Sequence, residues 1–478
     1  MPQDTNETKA KGGRENPFVL MCCTPIDGHM FPLLQIAEDL VGRGWEVHCM
    51  STQAHREWVE RAGAKFVPDI GIFQLTGHDL SAKSAEHFVT DPALEQMQNL
   101  FGENLKDYMP AITESLRSAL SHLRGLDADR EVVIVNETFH FGALALKLGA
   151  KLPEGYDRLP KTLGISILPL FWTSIDAGPT SLTRPFDSSP EGREAHKEAA
   201  AEWYNTWKSV HDRRAEVLRA NCGAPLPLDS LFGDHANLIA HDYLDPGVVC
   251  HDTTLQMCIP ALELPFTDLP PHIKFGGTLP TRPGPKDLEY PAWWKDVFTA
   301  RDQNKKVIMI AQGTLQLDAT ILIVTALRAL ATRSDLLVVA LLGKRGATLP
   351  LRSDGSEEPV PPNARVLDYF PYDMVLRHAD VFLAIAGYGA LQHAVANGVP
   401  MVLGGDTEDK PQVALRGEQA GFAVNLRMGR PTEEAISEGL DRVLREPAYK
   451  KRAMELKKQA EDFQPFDVIE RELKALSE

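Results

Sequence analysis

Two side chains in the first third of the chain have the types and placement needed for proton transfer. His29 lies in Thr24-Pro25-Ile26-Asp27-Gly28-His29-Met30, between an apolar run at 17–23 and apolar residues at helical spacing. Its imidazole titrates near neutrality and can take a proton from a hydroxyl. The positive end of a following helix favours the neutral ring, which is the accepting form. A histidine bonding loop backbone is the plainer alternative. Glu137 closes a second apolar run, Glu131-Val132-Val133-Ile134-Val135, inside Asn136-Glu137-Thr138-Phe139-His140-Phe141-Gly142. A carboxylate there could reach His29, fix its tautomer and steady the imidazolium formed on proton transfer. A solvated strand-end carboxylate fits the same residues.

The second half of the chain offers phosphate chemistry. Glycines just before a helix let backbone amides approach an anion, and the helix end adds favourable charge. Gly387 and Gly389 have that placement, and Gln312-Gly313-Thr314 makes a second such turn. Glu408-Asp409 follows another strand and could accept hydrogen bonds from sugar hydroxyls, or be a charged surface loop. The six cysteines have no zinc-site spacing and fall in part within apolar runs, so buried thiols of a reducing compartment are expected.

Parallel strands with connecting helices are what would hold these groups. Apolar runs at 17–23, 45–50 and 131–135 read as strands buried on both faces. Phe31, Leu34, Ala37, Leu40 and Val41 form a helix between the first two, with Pro32 in its first turn. That strand–helix–strand unit requires a right-handed crossover and a parallel sheet. A second series follows the Pro/Gly-rich stretch at 275–286, with strands at 307–311, 336–342, 380–385 and 398–403. The helix after the first carries Ile321, Val324, Leu327, Leu330 and Ala331 on one face; Leu391 opens another. In open sheets of this kind ligands bind beyond the carboxyl ends of the strands.

The 478 residues point to two domains. A net charge of -16 argues against a nucleic-acid or anionic-membrane surface. The polar first 16 residues show no secretory signal, and no run approaches the roughly 20 apolar residues of a membrane span. A cytoplasmic protein without an integral membrane segment is expected, monomeric or weakly self-associating. The stretches at 71–126 and 170–233 are irregular. The second holds Phe171, Trp172, Trp203, Tyr204 and Trp207, which either cover the sheet as amphipathic helices or line an acceptor pocket.

From Phe18 to about Arg445 the order of segments resembles the nucleotide-sugar glycosyltransferases that include plant secondary-product and fungal or bacterial macrolide enzymes. The likeness is strongest from Asp368-Tyr369-Phe370-Pro371-Tyr372 through Gly387-Tyr388-Gly389 and Gly398-Val399-Pro400 to Asp406-Thr407-Glu408-Asp409-Lys410-Pro411. Gly28-His29-x-x-Pro32 and Gln312-Gly313-Thr314 fall where that family has them. The resemblance implies an α/β fold of two Rossmann-like domains facing across a cleft (GT-B). Its parts would be a leader at 1–16, an acceptor domain at 17–275, a linker at 276–304, a donor domain at 305–455, and a C-terminal helix at 456–478 packing back on the first domain.

The resemblance further implies an inverting, metal-independent transfer from a UDP-sugar co-substrate, with no cofactor, to a small apolar acceptor such as a phenol, flavonoid or polyketide. His29 matches the family's base and Glu137 its supporting aspartate, one methylene longer. Tyr369 and Tyr372 fall in the segment that holds the donor's base. Gly387, Tyr388, Gly389 and Ala390 match the diphosphate loop, and Glu408 and Asp409 the pair that grips the sugar. Ile385 stands where many members place a diphosphate-binding His or Asn, and His393 where plant members place a ribose-binding Glu. Those two departures also fit a non-catalytic sugar-nucleotide or small-molecule binder. A Rossmann dehydrogenase is disfavoured, because no G-x-G-x-x-G follows the first strand.

Overall fold

The computed structural model describes residues 16–69, 105–284, 288–313 and 316–478. Thr314, nearly all of the leader and most of the irregular 71–126 stretch lie outside the described residues. Two all-parallel sheets form the frame. The first holds β1 (Phe18–Cys22), β2 (Val47–Ser51), β3 (Lys65–Pro68), β4 (Val132–Glu137), β5 (Lys161–Ser166), β6 (Thr253–Gln256) and β7 (Ile273–Phe275), in the order β3-β2-β1-β4-β5-β6-β7. The second holds β8 (Lys306–Ala311), β9 (Leu336–Leu341), β10 (Ala364–Leu367), β11 (Val381–Ile385), β12 (Met401–Gly404) and β13 (Ala423–Asn425), in the order β10-β9-β8-β11-β12-β13. Both orders reverse direction once, between β1 and β4 and between β8 and β11. Ligands of open sheets bind at such reversals.

Side-chain alternation explains the layers. Phe18, Leu20 and Cys22 of β1 join one core, while Val19 and Met21 join the core on the opposite face. In β8, Val307, Met309 and Ala311 face one way and Ile308 and Ile310 the other. Strands buried on both faces need apolar side chains throughout, each contributing roughly 1.5–3 kcal/mol when fully buried.

The first helix, α1 (Asp27–Gly42), begins a turn earlier than the apolar spacing suggests. The amides of His29 and Met30 donate to the Ile26 carbonyl at 2.9 and 2.8 Å, so His29 stands in the helix's first turn rather than in a loop. Pro32 is therefore one turn deeper. Its missing N–H would have paired with the carbonyl of Gly28, which is exposed.

The segment read as a linker is partly core. It contains its own short helix, Lys295–Thr299, and Trp294 is buried against Phe370 at 5.0 Å between ring centres. An indole of that size gains more by packing into the second domain than by spanning between domains. At the far end, the helix Pro447–Phe463 packs Ala453, Leu456 and Ala460 on the second domain. Gln464 then takes a left-handed conformation (φ 50°), and the helix Pro465–Ser477 packs Val468, Ile469 and Leu473 on the first.

Candidate active site

His29 and Glu137 meet at the reversal point of the first sheet. β1 leads into α1 and so to His29; β4, paired to β1 through Cys22 and Asn136, ends at Glu137. The Nδ1 of His29 lies 3.2 Å from Glu137 Oε2, and the carboxylate is wholly buried. The Phe139 amide donates to Glu137 Oε1 at 2.9 Å. Asn136 fixes that turn, donating through Nδ2 to the carbonyls of Glu137 and His140, both at 2.8 Å. Glu137 is thus a held partner of the imidazole, not a solvated strand end.

The electrostatics follow from burial and pairing. Burial alone would lower the pKa of His29; the adjacent Glu137 charge and bond outweigh it, and the pKa stands above the ordinary 6.5. Glu137 is held below its usual range by His29, against the opposing effect of burial. With Nδ1–H toward the carboxylate, Nε2 is the nitrogen left to accept a proton.

Phe139 has a second role that motif reading passed over. Its ring lies 5.7 Å from that of His29 and 5.8 Å from Phe171. Phe171 and Trp172 belong to an apolar cluster with Phe139, Leu168, Phe232 and Leu269 around them. An aromatic wall therefore begins beside the imidazole. Trp203 and Trp207 instead pack over the sheet in another core, with the Trp203 indole donating to Asp242 at 2.7 Å. The irregular region supplies both a sheet cover and a wall.

Across from this edge stands the second sheet's reversal point. α2 (Tyr388–Asn397) starts there with Gly387 at its N-cap, so the amides of Tyr388, Gly389 and Ala390 have no acceptor within the helix. A Cβ at Gly389 or at Gly313 (φ 80°) would meet nothing within 4 Å, so both glycine turns face open space. Gly313 follows β8 and Gly387 follows β11, the two strands flanking the reversal.

Several side chains chosen from the motifs are used internally. Gln312 is buried; its Nε2 donates to the Asp318 carbonyl at 2.9 Å and its Oε1 receives the Ile323 amide at 2.9 Å. It holds the start of helix Ile323–Ala329 and is not free for a donor. The Tyr388 side chain is likewise buried, and its hydroxyl receives Gln256 Nε2 of the first domain at 2.8 Å. Only its backbone amide is left at the open start of α2. The Tyr372 hydroxyl bonds the Gly313 backbone, and burial pushes its pKa up to about 12. It shapes the glycine turn and is not an open stacking surface. Tyr369 is 41% exposed, with the Arg345 guanidinium 4.9 Å above its ring.

His393 Nδ1 pairs with the buried Asp373 at 2.9 Å, and Asn397 Nδ2 donates to the same oxygen at 2.7 Å. That leaves His393 Nε2 for a ligand. Ile385 is buried and leaves no room beside Gly405 (φ 112°), where a Cβ would lie 3.0 Å from it. The acidic pair divides. Glu408 takes a left-handed conformation (φ 54°) and is bonded by the Lys410 ammonium, whereas the Asp409 carboxylate makes no side-chain hydrogen bond among the described residues. Burial, with Glu408 nearby, pushes Asp409 up to about 6 against the pull of Lys410 and His29. Asp409 and His29 are close enough for their charges to interact, so the two sheet edges face each other. Asp409 stands at the N-cap of α3 (Lys410–Gln419).

All six cysteines are buried and free, and no helix of the described residues is long and apolar enough to cross a membrane. A family model described as "Erythromycin biosynthesis protein CIII-like, C-terminal domain" matches residues 346–476. The chain is 34% identical to UDP-glucosyltransferase 1 of Beauveria bassiana (strain ARSEF 2860), over 96% of this chain and 95% of that one. It is 31% identical to UDP-glucosyltransferase A1 of Starmerella bombicola, over 96% and 92%. Among solved structures, the glycotransferase of kitacinnamycin superposes with a TM-score of 0.66 at 20% identity, over 96% and 99%, which shows the shared two-domain GT-B fold. With identity of that order along nearly the full length of both chains, this protein belongs to the UDP-glycosyltransferase family, enzymes that move a sugar from a nucleotide donor to a small acceptor.

Proposed function

We propose that the protein transfers glucose from UDP-glucose, with inversion and without a metal, to a hydroxyl of a small apolar acceptor. The observation that carries this reading is the His29–Glu137 pair, its carboxylate wholly buried, within charge range of Asp409 on the domain that carries two open glycine turns. The acceptor lies against Phe139 and Phe171, and its hydroxyl gives its proton to His29 Nε2 as its oxygen attacks the anomeric carbon. The bond from that carbon to the diphosphate breaks, and UDP leaves with the electron pair. Glu137 steadies the imidazolium. Charge growing on the diphosphate is met by the amides of residues 388–390 and the α2 terminus, fixed before the reaction begins.

Asp409 accepts hydrogen bonds from the sugar, and His393 Nε2 accepts one from the ribose. Tyr369 and Arg345 flank the base. Glucose as the sugar is supported by the names of the fungal relatives. An apolar acceptor is supported by the wall beside His29. An intact, desolvated base pair has no use in a protein that only binds, which disfavours the binder. The test is a mass-shift screen of UDP- and TDP-sugars against phenols, flavonoids and polyketide alcohols, with calorimetry of UDP. Transfer to an apolar alcohol from UDP-glucose supports the reading. UDP binding with no transfer or hydrolysis across that panel would overturn it.

A further inference from the structure

Three of the side-chain links between the domains lead to one short segment, residues 168–172. Gln256 Nε2 donates both to the Tyr388 hydroxyl at 2.8 Å and to the Leu168 carbonyl at 2.7 Å. Arg416 of α3 pairs with Glu263 at 2.6 Å, both side chains fully buried, and Glu263 Oε2 receives the Leu170 amide at 3.3 Å. Gln412, one turn before Arg416, donates to Thr183 Oγ1 at 2.6 Å. Thr183 closes the turn Thr180–Leu182, whose Thr180 hydroxyl donates to the Leu170 carbonyl at 2.8 Å and receives the Trp172 amide at 3.3 Å.

The elements at the two ends of these links matter for the reaction. Tyr388 opens α2, whose first amides form the diphosphate cradle, and α3 carries Asp409 at its start. Residues 168–172 form the aromatic wall that reaches His29 through Phe171 and Phe139. Packing alone does not call for polar groups here. A buried ion pair replaced by apolar residues of similar volume generally leaves stability unchanged or improved. The seam even strands polar atoms: Gln256 Oε1 and Arg416 Nε have no partner among the described residues. What the polar links add is register between donor helices and acceptor wall.

We propose that Tyr388, Gln256, Arg416 and Glu263 are positioning residues through which donor occupancy sets the acceptor wall at 168–172. Diphosphate on the α2 amides fixes that helix together with α3, which packs against it, sugar on Asp409 reinforces this, and the links hold the wall, hence the acceptor, in register with His29. The proposal rests on the donor assignment above.

The test needs no acceptor. Amide hydrogen exchange of the full chain, with and without UDP, is read on peptides spanning 168–172, and calorimetry measures UDP affinity alongside. UDP slows exchange there by about fivefold or more, the lower range of ordinary coupling between sites. Gln256→Met keeps the side-chain length and removes the amide that links Tyr388 to Leu168. Arg416→Met combined with Glu263→Met replaces the ion pair without leaving a lone buried charge. Both variants keep UDP affinity within about threefold and lose the slowing, and in Gln256→Met the acceptor KM rises while the donor KM stays put. Bound UDP with no effect on 168–172 in the parent, or slowing retained in both variants, overturns the coupling. Failure of the parent to bind UDP overturns the donor assignment, and this proposal with it.

Discussion

The two sheet edges are built alike and furnished oppositely. At the β1/β4 reversal the chemistry is a closed pair: Glu137 is wholly buried and His29 is held by it and by the Phe139 ring. At the β8/β11 reversal the chemistry is open backbone, glycine turns facing open space with three amides that have no acceptor within their helix. A base must have its pKa and direction set before substrate arrives, which requires a dry, closely held charged neighbour. An anion cradle must offer unspent donors, and in water exposed amides stay satisfied until the ligand displaces the solvent.

Breaking the closed side has the largest effect. His29→Ala lowers turnover by roughly 10²–10⁴ while UDP affinity, measured by calorimetry, stays near that of the parent. Turnover equal to the parent's would remove His29 from the mechanism. Glu137→Gln keeps the shape and removes the charge, and turnover falls by about 10². The same variant sharpens the comparison through pH. His29 must be neutral to take a proton, and its pKa is raised, so kcat/KM declines on the acid side with a midpoint above 6.5. Without the Glu137 charge, burial prevails and that midpoint drops below 6.5. A midpoint that stays in place would mean the limb belongs to another group.

The open side answers to smaller changes. Gly389→Ala adds a methyl into empty space at the start of a helix, so the fold gains up to about 0.5–1 kcal/mol. The methyl stands where the diphosphate must approach, and donor KM rises roughly tenfold, the cost of about one charge-assisted hydrogen bond. A higher melting temperature with unchanged donor KM would show that this amide does not face the donor. Last comes Asp409, the proposed sugar acceptor, whose pKa is pushed up to about 6 and which accepts most strongly from hydroxyls when ionised. Donor KM therefore rises as pH falls through 6. Asp409→Asn flattens that dependence and moves the His29 midpoint slightly downward; an unchanged profile would remove Asp409 from sugar binding.

The strands around both reversals were legible because they are largely apolar along their length, as at 19–22 and 336–341, whereas the interior strands β5 and β6, carrying Thr, Gly, Ser and Gln, were not. The edge strands Lys65–Pro68, Ala364–Leu367 and Ala423–Asn425 were not, being short and mixed in character. Motif spacing located His29 and Glu137 because their backbone positions alone put them at one edge. It could not tell that Gln312 caps a helix or that the Tyr388 ring turns into the domain seam, since both depend on side-chain direction. Phe139 carried no spacing signal at all. Its contribution arises only when Glu137, His29 and Phe171 converge from three separate segments.

The chain passes between its halves twice, after β7 and again at Gln464, and the two passages touch. Gly277 (φ 84°) lies so near Phe463 that a Cβ there would sit 2.7 Å from the ring. A body joined to another at two well-separated points swings only about the line between them, whereas attachments gathered in one corner act as a ball joint. The cleft can therefore tilt and twist about that corner, and its alignment at closure falls to the distant bonds rather than to the peptide backbone.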